Sequence, residues 1–325
     1  MTAEDGKVMG LGEAISAFVQ NGAHMSIGGF TVNRNPMAAV HEIIRRKIRG
    51  LHLYVHSNGQ GLDELIGGGC VMRVEIAYGG NGKFASTCIR FRKAVENGDI
   101  RVEDYSNYQM TLRFMAGAMG VPFLPTRSGL GTDILSTWGF SEEMRKGEAK
   151  ICDHKLKVID NPFPGWGETD KLVAVPAIRP DITILHVQKA DFQGTARIDG
   201  LTFADVEQAK AARRLIITCE ELVPPSELKK RPDRNQIPFI HADAVVHIPW
   251  GAYPTACHNH YDYDPDYLKR YAAAAVNDDA FAAFHEKYVH GVADHAELLE
   301  RVGKRRLQGL KAEPETGYAK NLSRK

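Results

Sequence analysis

The stretch Met25-Ser26-Ile27-Gly28-Gly29-Phe30-Thr31-Val32-Asn33-Arg34-Asn35-Pro36 decides how the rest of the chain is read. It begins apolar and extended, passes through adjacent glycines, and ends on an Asn-Pro pair suited to the Ncap and N1 positions of a helix, where a missing N–H costs nothing. The pattern predicts a strand, a glycine-bearing turn and a helix. In an open α/β sheet such a turn lies at the carboxyl end of its strand, where ligands gather, and glycines let backbone N–H groups approach an anion or a carbonyl oxygen. Gly28 and Gly29 complete neither G-x-G-x-x-G nor a phosphate-binding loop, so a plain tight turn is the simpler account of these residues taken alone.

Outward from this stretch the alternation continues. Leu11, Ile15, Phe18 and Val19 recur at helical spacing and stop at Asn21-Gly22. Met37, Val40, Ile44 and Ile48 share the next helical face, and Leu51 to Val55 alternates as a strand that ends in Ser57-Asn58-Gly59-Gln60-Gly61. A short helix over Leu62 to Ile66 closes on three glycines, and a strand from Val71 to Tyr78 ends in Gly79-Gly80-Asn81-Gly82. Three strand ends thus carry glycine-rich loops, which a parallel sheet gathers on one side into a composite site. Strands are expected over Lys171 to Pro176, Ile182 to Val187, Leu215 to Thr218 and Ala244 to Ile248, with a helix near Phe203 to Ala212. From Pro265 onward the pattern is helical, and the last fifteen or so residues turn polar and basic, predicting a frayed tail. Without a Pro/Ser-rich linker, residues 1–325 read as one α/β domain, of which 264–325 form a helical C-terminal extension.

With 325 residues, 43% of them hydrophobic and 25% charged, the chain can bury a sizeable core. A net charge of +1 leaves no global field toward nucleic acid or a membrane surface, so an anionic ligand must be caught locally. The five cysteines are scattered without C-x-x-C spacing, and neither a signal-peptide pattern nor a run of 18 apolar residues is present; a cytoplasmic protein with free thiols is expected. Cys257-His258-Asn259-His260 with Asp262 fits no zinc spacing, and Asp262, Asp264 and Asp266 lack the Gly and Glu of a calcium loop, so no metal is expected.

The run Gly28 to Pro36, G-G-F-T-x-x-R-x-P, with the helix Ala38-Ala39-Val40-His41-Glu42-Ile43-Ile44-Arg45, resembles the first signature of the alpha subunit of glutaconate CoA-transferase, a class I CoA-transferase. Phe91-Arg92-Lys93, Val102-Glu103-Asp104-Tyr105-Ser106, Gly120 to Pro125, Ile159 to Phe163, Thr218-Cys219-Glu220-Glu221, Asp243 to Val246 and Tyr261 to Asp264 are similar in order and spacing. The resemblance therefore spans most of the chain. It implies a NagB/RpiA-like open, mostly parallel sheet flanked by helices, a beta-subunit partner in an alpha/beta hetero-oligomer, and an active site between the subunits. It also implies a coenzyme A thioester as substrate, with no permanently bound cofactor. In that family a glutamate carboxylate attacks the acyl-CoA, and the CoA thiolate then cleaves the mixed anhydride to leave an enzyme-bound thioester. That glutamate belongs to the beta subunit.

This chain is then expected to supply pocket walls: backbone donors at Gly28, Gly29 and Phe30 toward an oxyanion, and substrate-facing residues Phe30, Asn33, Ser57, Asn81 and Arg127. Asn81 stands near a position where the family carries a serine, although a turn asparagine also explains it. Arg127 departs from the transferase pattern and matches related ring-opening hydrolases of CoA thioesters; a bidentate clamp on a carboxylate is its functional interpretation. The alternative on the same scaffold is such a hydrolase, or a decarboxylase, with Glu103 as general base beside Arg127. The bland account of Glu103 places it in the first turn of a helix. A non-catalytic effector-binding module lacks the helix-turn-helix or basic patch that would accompany it.

Overall fold

A computed structural model of the chain describes residues 6–163, 170–320 and 322. Strands β1 (His24–Ile27), β2 (Leu51–Asn58), β3 (Val71–Gly79) and β4 (Arg101–Asp104) come first. They are followed by β5 (Phe123–Thr126), β6 (Lys157–Asp160) and β7 (Lys171–Pro176), then by β8 (Ile182–Ala190), β9 (Ala196–Arg197), β10 (Leu215–Leu222) and β11 (Ala244–His247). The main sheet runs β11-β10-β8-β1-β2-β3-β4 with every neighbouring pair parallel, and β9 pairs antiparallel with β8. Helix α1 (Leu11–Phe18) precedes β1, and helices α2 (Met37–Arg45), α3 (Gln60–Gly67), α4 (Ile89–Asn97), α5 (Asn107–Met119), α6 (Glu142–Gly147), α7 (Asp205–Ala211) and α8 (Pro225–Lys229) are interleaved with the strands that follow.

The period-two pattern of the strands decides which layer each residue enters. Met25 and Ile27 of β1, Leu51, Leu53 and Val55 of β2, and Val74 and Ile76 of β3 join Ile15, Val40, Ile43, Ile44, Leu62 and Leu65 in the principal core beneath α1, α2 and α3. On the opposite face Tyr54 packs with Met110 and Phe114 of α5 and with Val173 and Val175 of β7. Leu185 and Val187 of β8 pack with Ala209 of α7, again on the face away from α2. The chain leaves β1 toward one face and β8 toward the other. These adjacent strands therefore form a topological switch point, and a crevice opens outside their carboxyl ends.

Several expectations need correction. The Lys171 to Pro176 strand lies outside the main sheet; it is the centre of a three-stranded antiparallel sheet, β5-β7-β6, that forms a lobe over β1 to β4. Pro36 is itself the Ncap of α2, because the Asn35 side chain is spent on the Gly61 N–H at 2.9 Å. Glu103 is in strand β4 and not in the first turn of a helix. α5 starts only at Asn107, where Ser106 and Gln109 close a capping box.

Helices α9 (Pro265–Ala275), α10 (Asp278–His285), α11 (His295–Val302) and α12 (Lys304–Leu310) form more than an extension. Tyr267, Tyr271, Phe281, Phe284 and Tyr288 build a second core, and the Tyr271 hydroxyl donates to Asp63 of α3 at 2.9 Å. The tail is docked as far as it is described: Ala319 is buried and its N–H donates to Asp262 Oδ2 at 2.7 Å. Residues 321 and 323–325, where the rest of the predicted fraying falls, lie outside the described residues. Among the described residues, no helix is long and apolar enough to cross a membrane.

Candidate active site at the strand switch point

The crevice at the ends of β1 and β8 has a volume of about 170 Å³ and is lined by Asn33, Arg34, Asp199, Phe203, His258 and Tyr318, among others. Asn33 and Arg34 follow the Gly-Gly turn, and the glycines are required in that turn. Gly29 has φ +85°, and a Cβ on it would lie 2.4 Å from the Asn33 carbonyl oxygen; a Cβ on Gly28 would lie 2.4 Å from Leu185 Cδ2. Arg34 and Asp205, both buried, tie the turn to the opposite side of the switch point. Arg34 Nη1 donates to Asp205 Oδ2 at 2.7 Å and to the His186 carbonyl at 3.1 Å, and Nη2 donates to the Leu201 carbonyl at 2.8 Å. Asp205 Oδ1 accepts from the Gly29 N–H at 2.9 Å. Because both charges have left water, this pair is a rigid stitch between the β1 loop and α7.

The same bonds use up the amides expected to face an oxyanion. Gly28 N–H donates to Ile184 O at 2.9 Å, Gly29 N–H to Asp205, and Phe30 N–H to Asn33 O at 2.8 Å. What the turn presents outward is the Phe30 ring. It stacks on Phe203 with centroids 4.6 Å apart and planes 11° from parallel. Thr31, Arg34 and Phe203 all hold positive φ, at 48°, 48° and 50°, so strained non-glycine backbone is concentrated in the two loops that carry this stack. Beside it stands His56, near the end of β2, half-buried and 6.3 Å from the Phe30 ring. Burial lowers its pKa below the ordinary histidine value, against the raising influence of Asp205, so the ring is neutral near pH 7.

The three glycine-rich loops do converge. A Cβ on Gly59 would meet Asn81 Oδ1 at 2.2 Å, Gly80 O at 2.6 Å and Thr31 O at 2.7 Å, so the ends of β1, β2 and β3 touch at this residue. Asn81 is buried behind that junction. Its Nδ2 donates to Gln60 Oε1 at 2.9 Å, and Gln60 donates to Glu64, which pairs with His41 at 2.7 Å. Ser57 is likewise buried, its hydroxyl donating to Asn107 Oδ1 at 2.8 Å. Arg127 is exposed on the loop after β5, and the Ser128 carbonyl beside it accepts from Gln109 Nε2 at 3.5 Å, which places this loop against the start of α5. Asn33 therefore lines the crevice, Phe30 adjoins it through its stack on Phe203, Ser57 and Asn81 are buried in the loops behind, and Arg127 belongs to the lobe.

Glu103 lies apart from all of these. It is fully buried; Oε1 accepts from Gly139 N–H at 3.0 Å and Phe140 N–H at 3.4 Å, and Oε2 is paired with Arg145. Its carboxylate anchors the lobe to β4. The Cys257–His260 stretch disperses too, with His258 against the Tyr318 ring and His260 bonded to Glu221 at 3.0 Å. Cys257 points instead toward His186 and Glu220, and donor atoms of these three buried residues lie within 4.8 Å of one another.

This set fits a hydrogen-bonded strut better than a metal. His186 is engaged by Thr218 at 2.9 Å and Glu220 at 2.7 Å, and Glu220 also accepts from the Trp250 N–H at 2.7 Å and from the Tyr261 hydroxyl. Burial pushes the Glu220 carboxyl up, but the bonds from His186, Tyr261 and Trp250 outweigh this and hold it below the usual range. Burial keeps the Cys257 thiol protonated.

Arg34, Asp205, His56, Phe203 and Asp199 were not singled out from the sequence. For His56 a signal was present: His52, Tyr54 and His56 form the alternate set of β2, a polar and aromatic face opposite Leu51, Leu53 and Val55. For Asp205 and Asp199, nothing local distinguishes them from ordinary surface acids.

Residues 8–247 match the coenzyme A transferase family model. The chain is 42% identical over 313 residues to the A subunit of glutaconate CoA-transferase from Acidaminococcus fermentans, covering 96% of this chain and 97% of that one. It is 32% identical to the A subunit of 3-oxoadipate CoA-transferase from Pseudomonas knackmussii, covering 91% and 98%. It is also 28% identical to the cholesterol ring-cleaving hydrolase IpdA subunit of Rhodococcus jostii, covering 90% and 95%. The crystal structure of glutaconate coenzyme A-transferase from A. fermentans superposes with a TM-score of 0.92 at 41% identity, covering 97% of this chain and 98% of that one. On the family match and on full-length similarity to these CoA-transferase subunits, the chain belongs to the coenzyme A transferase family.

Proposed function

We propose that this chain is the alpha subunit of a two-subunit CoA-transferase that moves CoA between an acyl-CoA and a carboxylic acid bearing an oxo group or a second carboxylate. The partner supplies a glutamate. Its carboxylate attacks the thioester carbonyl and expels the CoA thiolate, giving a mixed anhydride; the thiolate then attacks the glutamyl carbonyl and releases the first acid. The incoming acid reverses both steps. This chain's part is to wall the reacting centre with the Phe30–Phe203 stack and to hold that wall rigid through Arg34 and Asp205. Phe30, Asn33 and Arg127 keep surface available for ligand, and Ser57 and Asn81 fix the loops behind them.

The observation that carries the proposal is the switch-point crevice, built on the G-G-F-T-x-x-R turn in a chain that aligns end to end with the corresponding glutaconate CoA-transferase subunit. A partner chain is supported by apolar side chains left at the lobe surface, Tyr108, Met119 and Phe123, exposed by 56%, 62% and 41%. The hydrolase or decarboxylase alternative draws on Glu103, whose burial against Arg145 gives it no open face. The test is intact-mass analysis of the purified pair with an acyl-CoA: transfer requires a CoA adduct that a carboxylic acid discharges, while hydrolysis or decarboxylation gives product without an acceptor.

A further inference from the structure

We propose that His56 is a specificity-determining residue of this site, donating an N–H to an uncharged oxo oxygen on the acyl chain of the incoming acid while the Phe30–Phe203 stack packs against its carbons. This rests on the transferase reading above. Four observations carry it. His56 lies two residues before the end of β2, the strand whose loop meets the loops after β1 and β3 at Gly59, and its ring stands 6.3 Å from that of Phe30 in the β1 loop. The ring is half-buried against Phe30, and neither ring nitrogen has a hydrogen-bond partner among the described residues. His56 is not among the side chains with buried, unpaired polar atoms, so its N–H reaches solvent and a bound acceptor would take the place of water there.

The third observation concerns charge. Asp205 faces His56, Asp199 lines the adjoining crevice, and Arg34, the cation between them, has its Nη1 and Nη2 donors bonded to Asp205 and to backbone carbonyls. A second carboxylate placed here would be an unpaired charge beside aromatic rings, whereas a ketone oxygen needs only one donor. The fourth is the neutral ring itself, which has one N–H to give and no cation to offer. Together these favour an oxo acid over a plain dicarboxylic acid.

The test uses the assembled two-subunit enzyme and three acceptors of similar size: acetoacetate, butyrate and glutarate. Wild type should use acetoacetate best. His56→Phe should lower kcat/KM for acetoacetate about tenfold or more, chiefly through KM, while butyrate stays within about twofold; His56→Gln, which retains a donor, should recover much of the loss. The preference for acetoacetate should be the same at pH 8 and pH 7, because burial lowers the pKa of the ring below the ordinary histidine value. Formation of the CoA adduct from acyl-CoA should survive in both variants. Unchanged discrimination in His56→Phe, an equal loss for all three acceptors, or a wild-type preference for glutarate that His56→Phe abolishes would each overturn the assignment. A wild-type pair that forms no CoA adduct at all would instead overturn the transferase reading on which it stands.

Discussion

Arg34 looks at first like a hook for an anionic substrate, and its surroundings argue against that use. Its guanidinium is spent on Asp205 and two carbonyls, so its value lies in holding the Gly28-Gly29 turn to α7. Arg34→Met leaves Asp205 as an uncompensated buried charge and should cost about 3–5 kcal/mol in urea unfolding, part of which the double variant with Asp205→Leu should restore. Glu103 is the parallel case. Glu103→Gln, breaking the buried pair with Arg145, should destabilise the chain by about 3 kcal/mol yet leave turnover per folded complex within about twofold. A large loss of turnover at undiminished stability would return Glu103 to the chemistry.

The elements show why some of the fold was legible and some not. β1, β2, β3 and the helices between them carry long apolar periods over a buried core, and their sequence pattern places them to within a few residues. β5, β6 and β7 are strands of four to six residues paired across long separations, as Phe123 is with Pro176, so nothing local announces that they leave the main sheet. At α5 the signal was present and outweighed: Ser106 and Gln109 spell a capping box, which excludes Glu103 from the helix. Ser106→Ala should lower stability by about 1 kcal/mol in thermal or urea unfolding. The site divides similarly. The turn and its loops follow from glycine placement, whereas the Arg34–Asp205 stitch joins residues 171 positions apart and is visible only once β8 lies beside β1.

For the molecule as a whole, buried histidines set the response to acid. Burial lowers His24, His285 and His295 to about 4. Each ring regains its ordinary affinity for a proton when the chain unfolds, so unfolding takes up protons between about pH 4 and 6.5. The stability these rings support is fully present above pH 6.5 and is lost as pH falls toward 4. Asp63, raised to about 6 by burial, works in the opposite sense over part of that window, but it is one group against three. Unfolding midpoints should therefore drop steadily from pH 6.5 to 4.5, and His295→Asn should remove about one proton from the slope near pH 5. A flat profile would contradict the burial that the structure assigns to these rings.

If this subunit walls a reaction whose nucleophile comes from another chain, intact mass spectrometry of the pair, after incubation with an acyl-CoA and separation of the two chains, locates that nucleophile. The expected result is a CoA-sized adduct on the partner, none on this chain, and its disappearance with formation of a new acyl-CoA when a carboxylic acid is added. An adduct on this chain, for instance at Asp199 in the crevice, or acyl-CoA turnover without acceptor and without any adduct, would contradict it.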